Sequence, residues 1–279
     1  RILETGLAGP EAFVEPRPLD RAILRLAHSE GYLADLFALR RTGATMASEL
    51  PLTRDIARWF ELAAYGTATA TDLALARGAA MHLGGGFHHA FADHAEGFCY
   101  LNDTAVAARR ALGDEDGTPL ADSAGREVAR VSVVDLDVHQ GNGTARIFRG
   151  DERVFTLSLH QENNYPPKER SDLDLGLADG IDDAGYLEAL DRGLEAAVTD
   201  RRPELVYYLA GADPYREDQL GGLGLTLEGL GERDRRVLSV CRNSGAAVVV
   251  LLAGGYAVTP DETVEIHLRT AREMLRLWP

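Results

Sequence analysis

The chain has 279 residues, 45% of them hydrophobic, enough for one large α/β core, and no Pro/Ser-rich linker or shift in composition divides it. A formal net charge of −15 argues against nucleic acid, whose phosphates demand a basic surface, and suits a cationic substrate. The longest apolar run, around Ala246 to Tyr256, falls well short of the roughly 20 residues of a membrane span, and the first residues lack the basic-then-apolar order of a signal peptide, so a cytoplasmic location is expected.

In chain order, a weak strand over Ala79 to Gly84 runs into GGGFHHA. Stronger β-branched, apolar strands are predicted over Arg130 to Val138, closing in DLDVHQGNG, and over Val154 to His160, closing in SLHQENNYPP. Tyr186, Leu187, Leu190, Leu194 and Val198 then recur at three-to-four spacing, as on one buried helix face. Leu205 to Asp213 is the fourth strand, closing in AGADPYREDQLGG. A second amphipathic helix carries Leu227, Leu230, Val237, Leu238 and Cys241 and is capped by Thr226. The most apolar strand, Ala246 to Tyr256, closes in LAGGY, and Thr259, Pro260 and Glu262 supply an N-cap, a first-turn proline and a capping-box partner for the last helix. Strands alternating with helices predict a single-domain, open parallel sheet with helices on both faces. In such sheets ligands bind beyond the carboxyl ends of the strands, which is where every polar cluster falls.

Two cysteines, Cys99 and Cys241, lie among apolar residues without metal-ligand spacing and read as buried free thiols in a reducing compartment. Lys168 is the only lysine, a bias that reads as the product of a GC-rich genome rather than of salt adaptation.

Asp137 and His139 are two apart at a strand end, so in extended geometry they point to the same side, and Asp213 ends another strand. Three protein ligands leave a position for water and a substrate carbonyl, as catalytic zinc requires. The pair alone is weak, because a strand-end aspartate more often caps a helix. Asp135 points the same way, and a role behind the ligands, as an acceptor for a histidine, is preferred to direct ligation. One ion fits better than two, because the acids after Asp213, Glu217 and Asp218, come later in the loop. His88 and His89 follow three glycines that let the backbone approach a ligand, and adjacent imidazoles can take a proton from water and pass one to a leaving amine. Tyr256, after Gly254 and Gly255, can donate to an oxyanion, although a core tyrosine is an equal reading.

Together, GGGFHHAFADHAEGFCYLND, VDLDVHQGNG, YLAGADPYREDQLGGL and LLAGGY resemble the histone deacetylase family from about Leu19 to the C-terminus. HQGNG, where many relatives have HHGDG, and DQLGGL resemble the class IV branch and its bacterial relatives. The resemblance implies zinc ligation by Asp137, His139 and Asp213. It makes His89 the general base and acid, and His88 its electrostatic partner, oriented by Asp135. Asn142 stands where class I relatives have an aspartate, so His89 is expected to be less readily protonated than theirs.

The same resemblance gives Tyr256 the carbonyl-polarising role. It places Gly97, Phe98 and Tyr165 along a narrow acyl-lysine channel, with Gly254 among the substrate-binding positions. It also implies a potassium site from Asp135, Asp137, His139, Ser158 and the backbone of Leu159. The family has an earlier N-terminal strand and an HRFPM-like loop, whereas this chain opens at RILETGL, so one catalytic domain over residues 1–279 without that first strand is expected. The leading expectation is hydrolysis of acetyl or longer fatty-acyl groups from lysine. The alternatives are acylated polyamines or other small amides, and a catalytically weak acyl-lysine binder. No G-x-S-x-G elbow supports a serine hydrolase.

Overall fold

A computed structural model describes residues 1–114 and 116–279. Its elements run α1 (Glu30–Phe37), α2 (Gly43–Met46), α3 (Arg54–Arg77), β1 (Ala79–His82), α4 (Asp103–Ala111), β2 (Val131–Asp135), α5 (Asn142–Phe148), β3 (Val154–Gln161), β4 (Leu173–Leu177), α6 (Asp183–Leu194), β5 (Leu205–Leu209), α7 (Leu227–Ser244), β6 (Ala247–Leu251) and α8 (Pro260–Leu277). The strands form one six-stranded sheet in the order β1-β6-β5-β2-β3-β4, with every pairing parallel.

The alternation of side chains builds two cores. Val131, Val133, Tyr207 and Val249 face α3 and α4, whereas Val134, Tyr208, Val248 and Val250 face α6, α7 and α8. With both faces covered, β2, β5 and β6 are buried at every residue, which is why they read as continuous apolar runs.

Three of the expected strands end sooner than their apolar runs. β2 stops at Asp135, β5 at Leu209 and β6 at Leu251. Asp137, His139, Asp213 and Tyr256 therefore sit on loops that leave the sheet over its carboxyl edge, and extended geometry does not align them. β4 was not anticipated. It is an edge strand whose alternation Leu173-Asp174-Leu175-Gly176-Leu177 is partly exposed. Thr226 caps α7 as expected, accepting from Gly229 N–H at 3.0 Å. The capping box of α8 does not form: Thr259 makes no side-chain cap, and Glu262 instead accepts from the Tyr215 hydroxyl at 3.1 Å.

One buried histidine ties the layer before α1 to the loop after β1. His28, 3% exposed, donates through Nδ1 to the Phe91 carbonyl at 2.9 Å and accepts through Nε2 from the Asn102 N–H at 3.0 Å. Asn102 caps α4 and donates to Ala90 O and Thr144 Oγ1, so this histidine supports the segment that carries His88 and His89. Burial lowers its pKa from 6.5 to about 4, against the opposing pull of the Phe91 carbonyl. Between those values the unfolded chain holds more protons than the folded one, so this contribution is complete above pH 6.5 and is lost as pH falls toward 4. His160 and His267, also lowered to about 4 with burial the largest cause, add in the same direction. His28→Gln should be less stable than the parent at pH 7, and its denaturant midpoints measured from pH 7 to pH 4 should fall less steeply, or rise more, than the parent's. An unchanged slope would remove His28 from the acid response.

Candidate active site

Sheet order reverses between β2 and β5: the chain continues from β2 outward through β3 to β4, then returns beside β2 and proceeds outward through β6. The two loops at this reversal cannot pack over one another, so a crevice opens there. Asp137 and His139 lie on the β2 side and Asp213 on the β5 side.

These three residues each present a ligand atom, all within 4.8 Å of one another. His139 Nδ1 is 3.1 Å from Asp137 Oδ1 and 3.3 Å from Asp213 Oδ2. Ligand atoms about 2.0–2.2 Å from a tetrahedral zinc lie about 3.3–3.6 Å apart, so the spacing is close to that of one such ion. The remaining lone pairs are already engaged. Asp137 Oδ1 accepts from its neighbour's N–H on His139 and Oδ2 from Gly254 N–H at 2.8 Å, while Asp213 Oδ1 accepts from Val138 N–H at 2.9 Å. Asp213 Oδ2 is buried with no hydrogen-bond partner among the described residues, the condition of an atom that faces a cation.

The electrostatics agree with that fit. Burial and the Asp137 charge push the Asp213 carboxyl up. For His139 burial works downward, but the two carboxylates outweigh it and raise the imidazole to about 10. The pocket thus favours positive charge between its acids. A side chain at Gly254 would run into both carboxylates, which explains the glycine in LAGGY at this point.

Arg233, which the sequence reading did not single out, holds the two ligand loops from behind. Fully buried on α7, it donates to the Gly211 carbonyl at 2.6 Å and approaches the Leu136 carbonyl at 3.5 Å, two residues before Asp213 and one before Asp137. Asp234 pairs with it at 2.9 Å and accepts from Thr270 and Tyr208 hydroxyls, so the cation is compensated without solvent.

The histidine pair lies against this cluster. His88 Nδ1 is 2.7 Å from Asp135 Oδ2, and because a carboxylate only accepts, His88 donates. Its Nε2 is 3.1 Å from His89 Nε2. His89 Nδ1 is 2.9 Å from Asn142 Oδ1, an amide oxygen that also only accepts, so His89 carries its proton on Nδ1. His89 Nε2 is left as the acceptor, and His88 is the donor between the two rings. Burial lowers the His88 pKa, but Asp135 and Asp137 more than reverse this and raise it to about 9. Burial, then the charge of His88, hold His89 well below the usual imidazole range. The pair thus sets a neutral acceptor beside a charged donor.

A cavity of about 270 Å³ opens on the cluster, with His88, His89, Asp137 and His139 among its walls, together with Gly97, Phe98, Tyr165, Gly254 and Tyr256. Glu96 to Cys99 form a tight reversal in which Glu96 and Cys99 exchange backbone hydrogen bonds and Gly97 and Phe98 both have positive φ, 49° and 62°. A side chain at Gly97 would meet the His89 ring at 2.5 Å, so only glycine lets this wall approach the imidazole. Phe98 and Tyr165 stand at the mouth, 40% and 39% exposed. The Tyr256 ring lies 6.5 Å from Phe98, and its backbone is fixed by the DQL segment: its N–H donates to Asp218 at 2.6 Å and its carbonyl accepts from Gln219 Nε2 at 2.9 Å. Burial and the charges of Asp137 and Asp213 push its phenol up, so it stays protonated and able to donate.

Asp213 is fully buried beneath this cavity rather than on its wall, and Asp135 and Asn142 lie behind the histidines. Ser158 is the register partner of Asp135, and Leu159 follows it on β3. Glu49, Asn164, Leu220 and Ala253 also line the cavity without having been anticipated. A larger, more open cleft of about 670 Å³, bordered by His28, Phe91, Arg109 and Arg146, holds none of the candidate catalytic or metal residues.

The sequence profile of the histone deacetylase domain matches residues 1–271. An uncharacterised protein of Picosynechococcus is 40% identical over 98% of this chain and 89% of its own length. Histone deacetylase 2 of Arabidopsis thaliana is 32% identical over 91% of this chain and 66% of its own. Among solved structures, a histone deacetylase homologue complexed with SAHA has a TM-score of 0.79 at 26% identity, covering 97% of this chain and 74% of that one. The homologue from Aquifex aeolicus has a TM-score of 0.78 at 26% identity with the same coverage. The chain belongs to the histone deacetylase family, with the family's α/β fold and the deacetylase class of chemistry that membership supports.

Proposed function

We propose that the chain is a single-domain, zinc-dependent amidohydrolase of class IV type, acting in the cytoplasm to remove acetyl or longer fatty-acyl groups from the side-chain amine of lysine. The observation that carries this reading is the unpartnered, buried Asp213 Oδ2 beside His139 Nδ1 and Asp137, beneath a cavity that also exposes the two histidines. The bound ion would supply Lewis acidity, polarising the acyl carbonyl and acidifying water.

The side chains do the rest. His89 Nε2, held neutral, gives up its hydrogen bond from His88 and accepts the proton of the attacking water. The Tyr256 hydroxyl donates to the carbonyl oxygen as it gains charge. His88, charged and fixed by Asp135, stabilises the negative charge and keeps His89 oriented. The proton then leaves on the amine, which departs as the carboxylate forms. Phe98 and Tyr165 grip the methylene stem of the lysine, and Gly97 and Gly254 let it reach the floor. Potassium at Asp135, Asp137, His139, Ser158 and the Leu159 backbone would neutralise the charge behind the ligands; the pairing of Asp135 with Ser158 in register supports it.

HQGNG and DQLGGL support the class IV placement, and Asn142 and the Tyr256-holding Asp218 and Gln219 are the parts those motifs play in the fold. A small acylated polyamine is the second reading, favoured by Glu49 on the cavity wall and by the net charge of −15, both of which attract a cation.

Purified protein offered acetyl-, octanoyl- and myristoyl-lysine peptides and acetylspermidine should hydrolyse at least one, and a chelator should stop it; no turnover on any of them at full metal occupancy would sink the enzyme reading. Tyr256→Phe should keep its metal and lose about 10²–10³ in kcat, the cost of one oxyanion donor, and undiminished rates would take the tyrosine out of the mechanism. Metal content measured on Asp213→Ala should fall, and full occupancy would show that the third ligand is misassigned. Arg233→Met leaves Asp234 buried without its cation and should cost about 3–5 kcal/mol of stability, read by denaturant unfolding, along with weaker metal retention. A variant as stable as the parent would mean that the ligand loops stand without Arg233.

A further inference from the structure

The amide behind His89 poses an orientation problem that a carboxylate would not. An aspartate offers an acceptor at both ends, whereas the two ends of Asn142 are nearly the same shape and opposite in hydrogen bonding. With Oδ1 toward His89 Nδ1, the ring proton sits on Nδ1. With the amide reversed, Nδ2 would aim a donor at Nδ1, drive the proton to Nε2 and remove the lone pair that faces His88 and the cavity.

Glu96 decides between these. Its Oε1 is 2.8 Å from Asn142 Nδ2, and a carboxylate can hold only the donor end of the amide. Gly143 N–H, 3.0 Å from Oδ1, favours the same orientation. Glu96 is itself constrained. Its backbone pairs with Cys99 across the Gly97-Phe98 reversal, its Oε1 also accepts from the Tyr165 hydroxyl at 3.2 Å, and His94 Nε2 lies 3.6 Å from Oε2.

We propose that Glu96 is a positioning residue for hydrolysis, which locks the Asn142 amide so that His89 keeps its proton on Nδ1 and its accepting lone pair on Nε2. This rests on His89 as the base of the proposed reaction. Through Tyr165 the same carboxylate joins the channel wall to the base, so the wall and the imidazole are held in one hydrogen-bonded row.

The test reads the tautomer directly. Zinc-loaded full-length protein with ¹⁵N-labelled histidine should show His89 protonated on Nδ1 in long-range ¹H–¹⁵N spectra. In Glu96→Ala that state should give way to a mixture with Nε2–H, with a kcat lower by roughly 10- to 100-fold, the scale of losing one charge-assisted hydrogen bond. Glu96→Gln, whose amide oxygen the Tyr165 hydroxyl selects by donating to that position, should keep the wild-type tautomer and most of the rate.

Adding Asn142→Asp to Glu96→Ala should restore Nδ1–H and much of kcat, because a carboxylate has no wrong end; a merely structural lesion would not be repaired this way. Tyr165→Phe should raise KM and leave the tautomer alone. The proposal is overturned by Nδ1–H persisting in Glu96→Ala, by Glu96→Gln being as damaging as Glu96→Ala, or by failure of Asn142→Asp to repair it. Should the protein turn over none of the offered amides, the spectra still decide the role of Glu96, so its failure and that of the proposed activity are separable.

Discussion

Two carboxylates buried side by side set the terms for this structure. Asp137 and Asp213 are 2% and 0% exposed, and their mutual repulsion in a poorly solvated crevice must be offset by positive charge. The surroundings are organised to that end. Backbone N–H groups from Val138, His139 and Gly254 take the outer lone pairs, His139 sits between the acids, and Gly254 leaves the space clear. What remains is an inward-facing acceptor, Asp213 Oδ2, that only a cation satisfies well.

The same constraint explains the next ring of residues. Arg233 brings a buried cation to the backbone of the loops that carry Asp137 and Asp213, and Asp234 compensates its charge there. On the opposite side, His88 takes its charge from Asp135 and Asp137, which lets His89 remain neutral at a distance of 3.1 Å between ring nitrogens. Asn142 adds no further negative charge beside His89, and the cost is an amide whose orientation must be specified; its Nδ2 donates to Glu96 Oε1 at 2.8 Å. Charge placement, more than shape, links the Asp137-His139-Asp213 cluster, His89 and Tyr165.

The sequence carried much of this. Apolar runs reported β2, β5 and β6 because those strands are buried on both faces, whereas Gly97 and Gly254 came only from the family resemblance, and the structure supplies their reason, since a Cβ there meets the His89 ring or the carboxylates of Asp137 and Asp213. Run length misplaced the strand ends, since an apolar run does not say where backbone pairing stops: Leu136, Val138 and Ala212 are buried in loops. β4 escaped because an edge strand exposes half its side chains and mixes Asp174 and Gly176 into the pattern. Arg233 and Glu96 were illegible for a different reason. A charged residue on a helix or in a loop normally reads as a solvated one, and only the packing of α7 on the ligand loops, or the reversal at Gly97-Phe98, turns such a residue toward the site. The run Arg233-Asp234-Arg235-Arg236 carries no sign of which arginine goes inside.

The most direct measurement of the central claim is the position of the metal itself. Diffraction from crystals of the zinc-loaded protein, collected on both sides of the zinc absorption edge, should give one strong anomalous peak in the crevice, about 2.0–2.2 Å from His139 Nδ1, an Asp137 oxygen and Asp213 Oδ2. No peak between these three residues, or an ion bound at some other cluster with Asp213 Oδ2 turned to a protein donor, would contradict the account.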